Sequence, residues 1–165
     1  MLKSEWNKTG TSSGSYVHDL LFQLFEDLEM EKYSKIPGQR EVVSKLREYG
    51  WDRRVNIGYN SKHHIDGVLE KVGVCVYFGH REAAFQRLLA IQSLFEDGVI
   101  EECFYITQTN ETAEKRHQKG DPDKKGNGNR ISFYDIDKGM EYYCRFITVP
   151  LTLIGIEFDD SEGSV

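Results

Sequence analysis

His64-Ile65-Asp66-Gly67-Val68-Leu69-Glu70-Lys71-Val72-Gly73-Val74-Cys75-Val76-Tyr77-Phe78-Gly79 is the stretch on which the fold turns. Val72, Val74, Val76 and Phe78 recur with period two and are mostly β-branched, the signature of a strand with alternating faces. Glu70-Lys71 is short enough to join that strand to a preceding one in a hairpin. Upstream, Val55, Ile57 and Tyr59 repeat the alternation, so Asp52 to Gly79 predicts three short antiparallel strands.

Helical patterns flank this core. Leu20, Leu21, Leu24, Phe25 and Leu28 make Tyr16 to Met30 an amphipathic helix. A second helix starts near Pro37, carries Val42, Val43, Leu46 and Tyr49 as its apolar stripe, and stops at Gly50. After the hairpin, Glu82 to Glu96 places Ala83, Ala84, Phe85, Leu88, Leu89, Ile91, Gln92 and Phe95 over much of a helix circumference, which implies packing on a sheet. Asp97-Gly98 ends it. Glu102 to Thr107 reads as a strand buried on both faces, with Cys103, Tyr105 and Thr107 opposed to Phe104 and Ile106. A helix over Ser132 to Phe146, with Tyr142, Tyr143 and Phe146 as core or dimer-interface residues, and a strand over Val149 to Phe158 complete the pattern. The fold class expected is α/β, a central mixed sheet of about five strands flanked by helices.

At 165 residues, 39% hydrophobic and 29% charged, the chain matches one compact domain and neither a disordered nor a membrane protein. Residues 1–15 are polar and Gly/Ser/Thr-rich, a flexible start without the basic-then-apolar order of a leader, and no apolar run approaches a membrane span. A cytoplasmic protein without a membrane partner is expected. Cys75, Cys103 and Cys144 are odd in number and widely spaced in apolar surroundings, which suits three reduced, largely buried thiols.

The net charge of −6 argues against a non-specific nucleic-acid coater. Its distribution qualifies that. Between Lys115 and Arg130, Lys115, Arg116, Lys119, Lys124, Lys125 and Arg130 stand against only Asp121 and Asp123, so the glycine-rich stretch 110–130 reads as a mobile basic loop on an acidic body. Residues 159–165 form an acidic tail with Asp159, Asp160 and Glu162. The basic cluster supplies phosphate contacts in one reading and a solvated insertion in the other.

The succession helix, strand, strand, strand, helix, strand resembles the metal-dependent nucleases of the PD-(D/E)xK superfamily. More specifically, His64 to Val68, Val74 to Gly79, the run Leu88, Leu89, Gln92, Ser93, Leu94, Phe95 leading to Asp97 to Glu101, and Val149 to Ile156 resemble BglII-type type II restriction endonucleases. The likeness covers about half of the chain. It implies a restriction-endonuclease-like core, Mg²⁺ as cofactor of an active enzyme, double-stranded DNA as partner, and a homodimer that meets palindromic DNA with two-fold symmetry.

The resemblance also implies a site: an Asp on one hairpin strand and, on the next, a carboxylate followed two residues later by Lys, Gln or Glu. Spacing by two puts both side chains on one strand face, where carboxylates hold a metal that activates water and stabilises charge on the phosphate. Asp66 matches the first position and is the expected metal ligand; the other two catalytic positions fall on Cys75 and Tyr77. Mg²⁺ favours oxygen ligands, which a neutral thiol does not supply. A phenol that titrates near pH 10 has neither the charge of Lys nor the acceptor strength of a carboxylate.

The reading that follows is a restriction-endonuclease-like protein that binds DNA or a defence-system partner with little or no cleavage. One rival is an active Mg²⁺-dependent endonuclease whose second carboxylate has migrated to Glu70 or to Glu26, Glu29 or Glu31. Glu70 lies about 13 Å along the strand from Asp66, far for one ion. Another is an acidic decoy. On the bland reading Asp66 caps or solvates a strand, Cys75 is a small core residue, and Gly73 and Gly79 mark close packing. A zinc site from Asp66, Cys75 and one of His63 and His64 is a further alternative, limited to one histidine because adjacent strand residues face opposite ways.

Overall fold

The computed structural model describes residues 3–9, 16–30, 38–51, 54–58, 62–118 and 130–157. The strands are β1 (Lys3–Thr9), β2 (Val55–Asn56), β3 (His64–Ile65), β4 (Gly67–Leu69), β5 (Val72–Val76), β6 (Glu102–Gln108) and β7 (Leu151–Glu157). The helices are α1 (Tyr16–Met30), α2 (Gln39–Glu48), α3 (Arg81–Glu96), α4 (Asn110–Gln118) and α5 (Phe133–Tyr143).

Five strands form one sheet in the order β1-β7-β6-β5-β4, and β2 and β3 form a separate antiparallel ribbon. The sheet is mixed, as expected: β5, β6 and β7 run parallel, while β4 and β1 close its edges antiparallel. Glu70 and Lys71 both have positive φ (46° and 64°), with Leu69 opposite Val72. A two-residue turn with both residues left-handed is type I′, whose twist matches that of the flanking strands.

Strand alternation builds two cores. Val74, Val76, Phe104, Ile106, Ile154 and Ile156 face α1 and α2, where they meet Leu21, Leu24, Leu28, Val42, Leu46 and Trp51. Cys75, Cys103, Tyr105, Leu151 and Leu153 point to the other face, against Leu88, Ile91, Leu94, Ile136 and Met140 of α3 and α5. Both faces are covered, so the central strands read as nearly continuous apolar runs. Gln92 is the one polar side chain among the buried residues of α3. Its Oε1 accepts the backbone N–H groups of Thr148 (2.8 Å) and Val149 (3.1 Å), fixing the chain just before β7.

Several expectations need correction. The supposedly flexible start contains β1, paired along its whole length with β7 in a register from Lys3–Glu157 to Thr9–Leu151. An edge strand is held through its backbone, so the polar sequence carries no alternation to betray it. The expected 110–130 loop begins as α4. Thr109 starts this helix, its backbone C=O accepting from Ala113 N–H and its hydroxyl from Thr112 N–H. Residues 119–129 lie outside the described residues, as do Pro37, the acidic tail and Phe158. Cys144 is exposed, unlike Cys75 and Cys103. Tyr142 and Phe146 are 77% and 67% exposed and Leu89 57%, so none is a core residue. Among the described residues no helix is long and apolar enough to cross a membrane.

Candidate functional site

Asp66 sits in the one-residue break between β3 and β4, where two short strands change partner. Its backbone N–H donates to Val74 C=O and its carboxylate Oδ2 accepts from Val76 N–H, both at 2.8 Å. The side chain thereby continues the ladder past the point where β4 leaves β5. Gly67 permits this bend: a Cβ there would lie 2.6 Å from Trp51 Cβ and 2.9 Å from its carbonyl oxygen. The carboxylate is 5% exposed, and burial is the main cause that raises its pKa, opposed by the Val76 hydrogen bond and by Arg87, His64 and Arg54.

The other two motif positions do not meet Asp66 as ligands. Cys75 is fully buried in the α3-facing core, and burial pushes its thiol far up, the Asp66 charge adding to the effect. Tyr77 is partly buried, with its hydroxyl accepting His80 N–H at 3.1 Å. That hydroxyl lies over Gly79, where a Cβ would be 2.5 Å away. The Tyr77 ring carries the Arg87 guanidinium above it, 5.5 Å from the centroid.

Cations gather around Asp66. Arg87, from the second turn of α3, donates to His64 C=O. Arg54 precedes β2, and the register Val55–Ile65, Asn56–His64, continued one step, sets it opposite Asp66. His64 Nε2 is 3.9 Å from Asp66 Oδ1; its pKa is lowered by burial first and then by Arg87. Above Asp66 opens a cleft of about 630 Å³ lined by Gln39, Arg40, Val43, Ser44, Arg47, Arg54 and Asp66. Arg40 and Arg47 are seven residues apart, two turns of α2, and so share a helix face. Among the described residues none of Arg40, Arg47 and Arg54 is paired with a carboxylate within 4 Å.

Sequence reading located the basic charge elsewhere. Of those residues, Lys115 and Arg116 fall in α4. Arg130 pairs as an isolated bridge with His80 and reaches Phe78 C=O at 3.4 Å. Lys119, Lys124 and Lys125 lie outside the described residues. The cleft arginines were missed, although the seven-residue interval between Arg40 and Arg47 was a usable signal.

The donor set does not suit Mg²⁺. The one buried carboxylate among the described residues has an oxygen committed to Val76, the groups around it are His64, Arg54 and Arg87, and Mg²⁺ demands near-octahedral oxygen ligation. Among the described residues no three His, Cys, Asp or Glu side chains converge as a metal site, which also leaves the zinc alternative without a constellation. Of the four residues offered for a migrated carboxylate, the side chains of two are described. Glu70 occupies the exposed turn and engages the Tyr16 hydroxyl, and Glu26 is exposed on α1. Nothing is described of the Glu29 side chain, and Glu31 lies outside the described residues.

A mixed sheet with helices on both faces, an antiparallel hairpin at one edge and a buried Asp at the hairpin break is the architecture of restriction-endonuclease-like proteins. The sequence profile of the family "Restriction endonuclease BglII/BglIII" matches residues 5–156, so the chain belongs to that family. Among solved structures it is similar to restriction endonuclease BglII complexed with a DNA 16-mer, with a TM-score of 0.68 at 11% identity, over 95% of this chain and 77% of that one. No curated protein matches significantly.

Proposed function

We propose that this protein is a DNA-binding member of the BglII/BglIII family with little or no Mg²⁺-dependent cleavage. The observation that carries this reading is the state of the hairpin motif. Among the described residues Asp66 joins no metal-binding cluster; one of its oxygens is bound to Val76 N–H, beside the buried thiol of Cys75 and the turned-back phenol of Tyr77. Such a group supports the sheet without organising a divalent cation. Retained DNA binding is supported by the arginine-lined cleft at Asp66 and by the structural likeness to a DNA-bound restriction endonuclease. Two-fold pairing of two copies across a palindromic duplex belongs to the same proposal.

Two measurements test it: nicking of supercoiled plasmid with Mg²⁺ or Mn²⁺ by the natural protein and by Asp66→Ala, and binding of labelled duplex DNA. The expected result is salt-sensitive binding with no nicking above background in either protein. Nicking that disappears in Asp66→Ala would sink the proposal. Restoring the motif is a poor alternative, because Cys75→Glu would bury a charge in a close-packed core.

A further inference from the structure

We infer that the cleft over Asp66 is a phosphate site in which Arg40, Arg47 and Arg54 supply the positive charge, so that it binds without a divalent cation. The inference rests on the DNA-binding reading above and names the chemistry of that site.

The argument is geometric. Arg40 and Arg47 project from one face of α2, Arg54 comes from the strand partner of the Asp66 segment, and Asp66 lies with them in the same cleft. Arg87 lies outside that lining and approaches the Asp66 segment from α3, where it donates to His64 C=O and sits over the Tyr77 ring. An arginine has five N–H donors in a fixed fork, which leaves donors available for phosphate oxygens. Three cations line a cleft that holds one carboxylate, on a chain whose net charge is −6. Such a group, which among the described residues pairs with no carboxylate within 4 Å, fits an anion with several acceptor oxygens, and a phosphate meets that requirement. The opening is large enough for a nucleotide unit. In a metal-loaded site the carboxylate is indispensable, because it holds the cation that meets the phosphate. Here the Asp66 charge opposes the phosphate and the guanidiniums attract it.

The same phosphate chemistry occurs in a DNA backbone and in a free ion, so the test has two arms on the full chain. In the first, binding of labelled duplex DNA is followed in EDTA against salt concentration for the natural protein, Arg40→Gln/Arg54→Gln and Asp66→Asn. Arg40 and Arg54 are exposed, and circular dichroism checks that the variants stay folded. Binding is expected to persist in EDTA. The double variant should bind about 10- to 100-fold more weakly, with a log–log salt slope shallower by roughly two. Asp66→Asn should bind severalfold more tightly. In the second arm, arginine Nε–H resonances are followed as inorganic phosphate is added without DNA, and the Arg54 resonance is expected to shift.

Loss of binding in EDTA, or weaker binding by Asp66→Asn, would overturn the inference. DNA binding unaffected in the double variant, with no phosphate-induced shift at Arg54, would overturn the cleft site and leave the functional reading intact. A phosphate-induced shift without any DNA binding would support the cleft site and remove the DNA reading instead.

Discussion

The Asp66 carboxylate accepts the backbone N–H of Val76 at 2.8 Å, ten residues further along the chain, and so completes the hairpin ladder where β4 departs from β5. Asp66 thus has a structural duty that needs an acceptor oxygen and no charge. Asp66→Ala leaves a buried N–H unpaired and is expected to cost about 1–3 kcal/mol. Asp66→Asn keeps an acceptor and avoids that loss. Urea titrations of the two variants separate the outcomes, and equal destabilisation would show that the charge is what matters.

Burial, the largest cause, raises the Asp66 pKa, so the folded state holds the proton more tightly than the unfolded chain does. The folded state is then favoured by this group below the unfolded value of about 3.9. That advantage is lost as pH rises from there through the raised folded value. His64 works in the opposite sense: its folded pKa is lowered, so it costs stability as pH falls below about 6.5. Arg54 and Arg87 face both groups. The stability of Asp66→Asn relative to the natural protein should therefore increase with pH above about 4 and level off once the native carboxyl has ionised. A difference that shrank over that interval would mean that the fold stabilises the carboxylate.

Cys75 and Cys103 are fully buried with their thiols pushed far up, whereas Cys144 is exposed just past α5. Thiolate is the reactive form, so a native-state reagent should modify one cysteine quickly and the other two only as the protein unfolds. The Cys144→Ser variant should lose the fast phase. Fast modification of Cys75 in that variant would contradict its burial and would open a route from solvent to the motif.

The hairpin, the amphipathic helices and the doubly buried β6 were legible because their side chains alternate between core and solvent, or between two cores, with the period of the element. β1 was not legible, since Lys3 to Thr9 joins the sheet by backbone pairing and its residues show no such period. Helix α4 was hidden by a polar, charged sequence whose Thr109 start looked like more loop. At the site, Asp66, Cys75 and Tyr77 were singled out by the family resemblance and by nothing in the spacing alone. Arg54 and Arg87 depend on which elements come together around Asp66, and linear spacing does not reveal that.

Gln92 looked like one more position on a helix turned toward the sheet. Its amide in fact accepts from Thr148 and Val149 and donates to Thr148 Oγ1 and Glu96 at 2.9 Å each. Gln92→Leu keeps the volume and removes every one of these partners. With the Val149 N–H buried and unpaired, about 2 kcal/mol of stability should be lost, which urea denaturation would register. A neutral result would mean that water reaches the segment before β7.

Glu70 and Lys71 occupy left-handed backbone in a type I′ turn, a conformation that costs ordinary L-residues roughly 1–2 kcal/mol each and that Asn-Gly adopts readily. Replacing both, as Glu70→Asn/Lys71→Gly, removes most of that cost. The change forfeits the approach of Glu70 to Tyr16 and the Lys71–Glu101 ion pair, both at exposed positions where such contacts contribute little. The Lys71 carbonyl still accepts Glu101 N–H, so the turn stays tied to the segment before β6. The double variant should be more stable by about 1 kcal/mol, seen as a higher urea midpoint with an unchanged slope. A lower midpoint would mean that the Glu70 and Lys71 side chains hold the hairpin more strongly than their exposure implies.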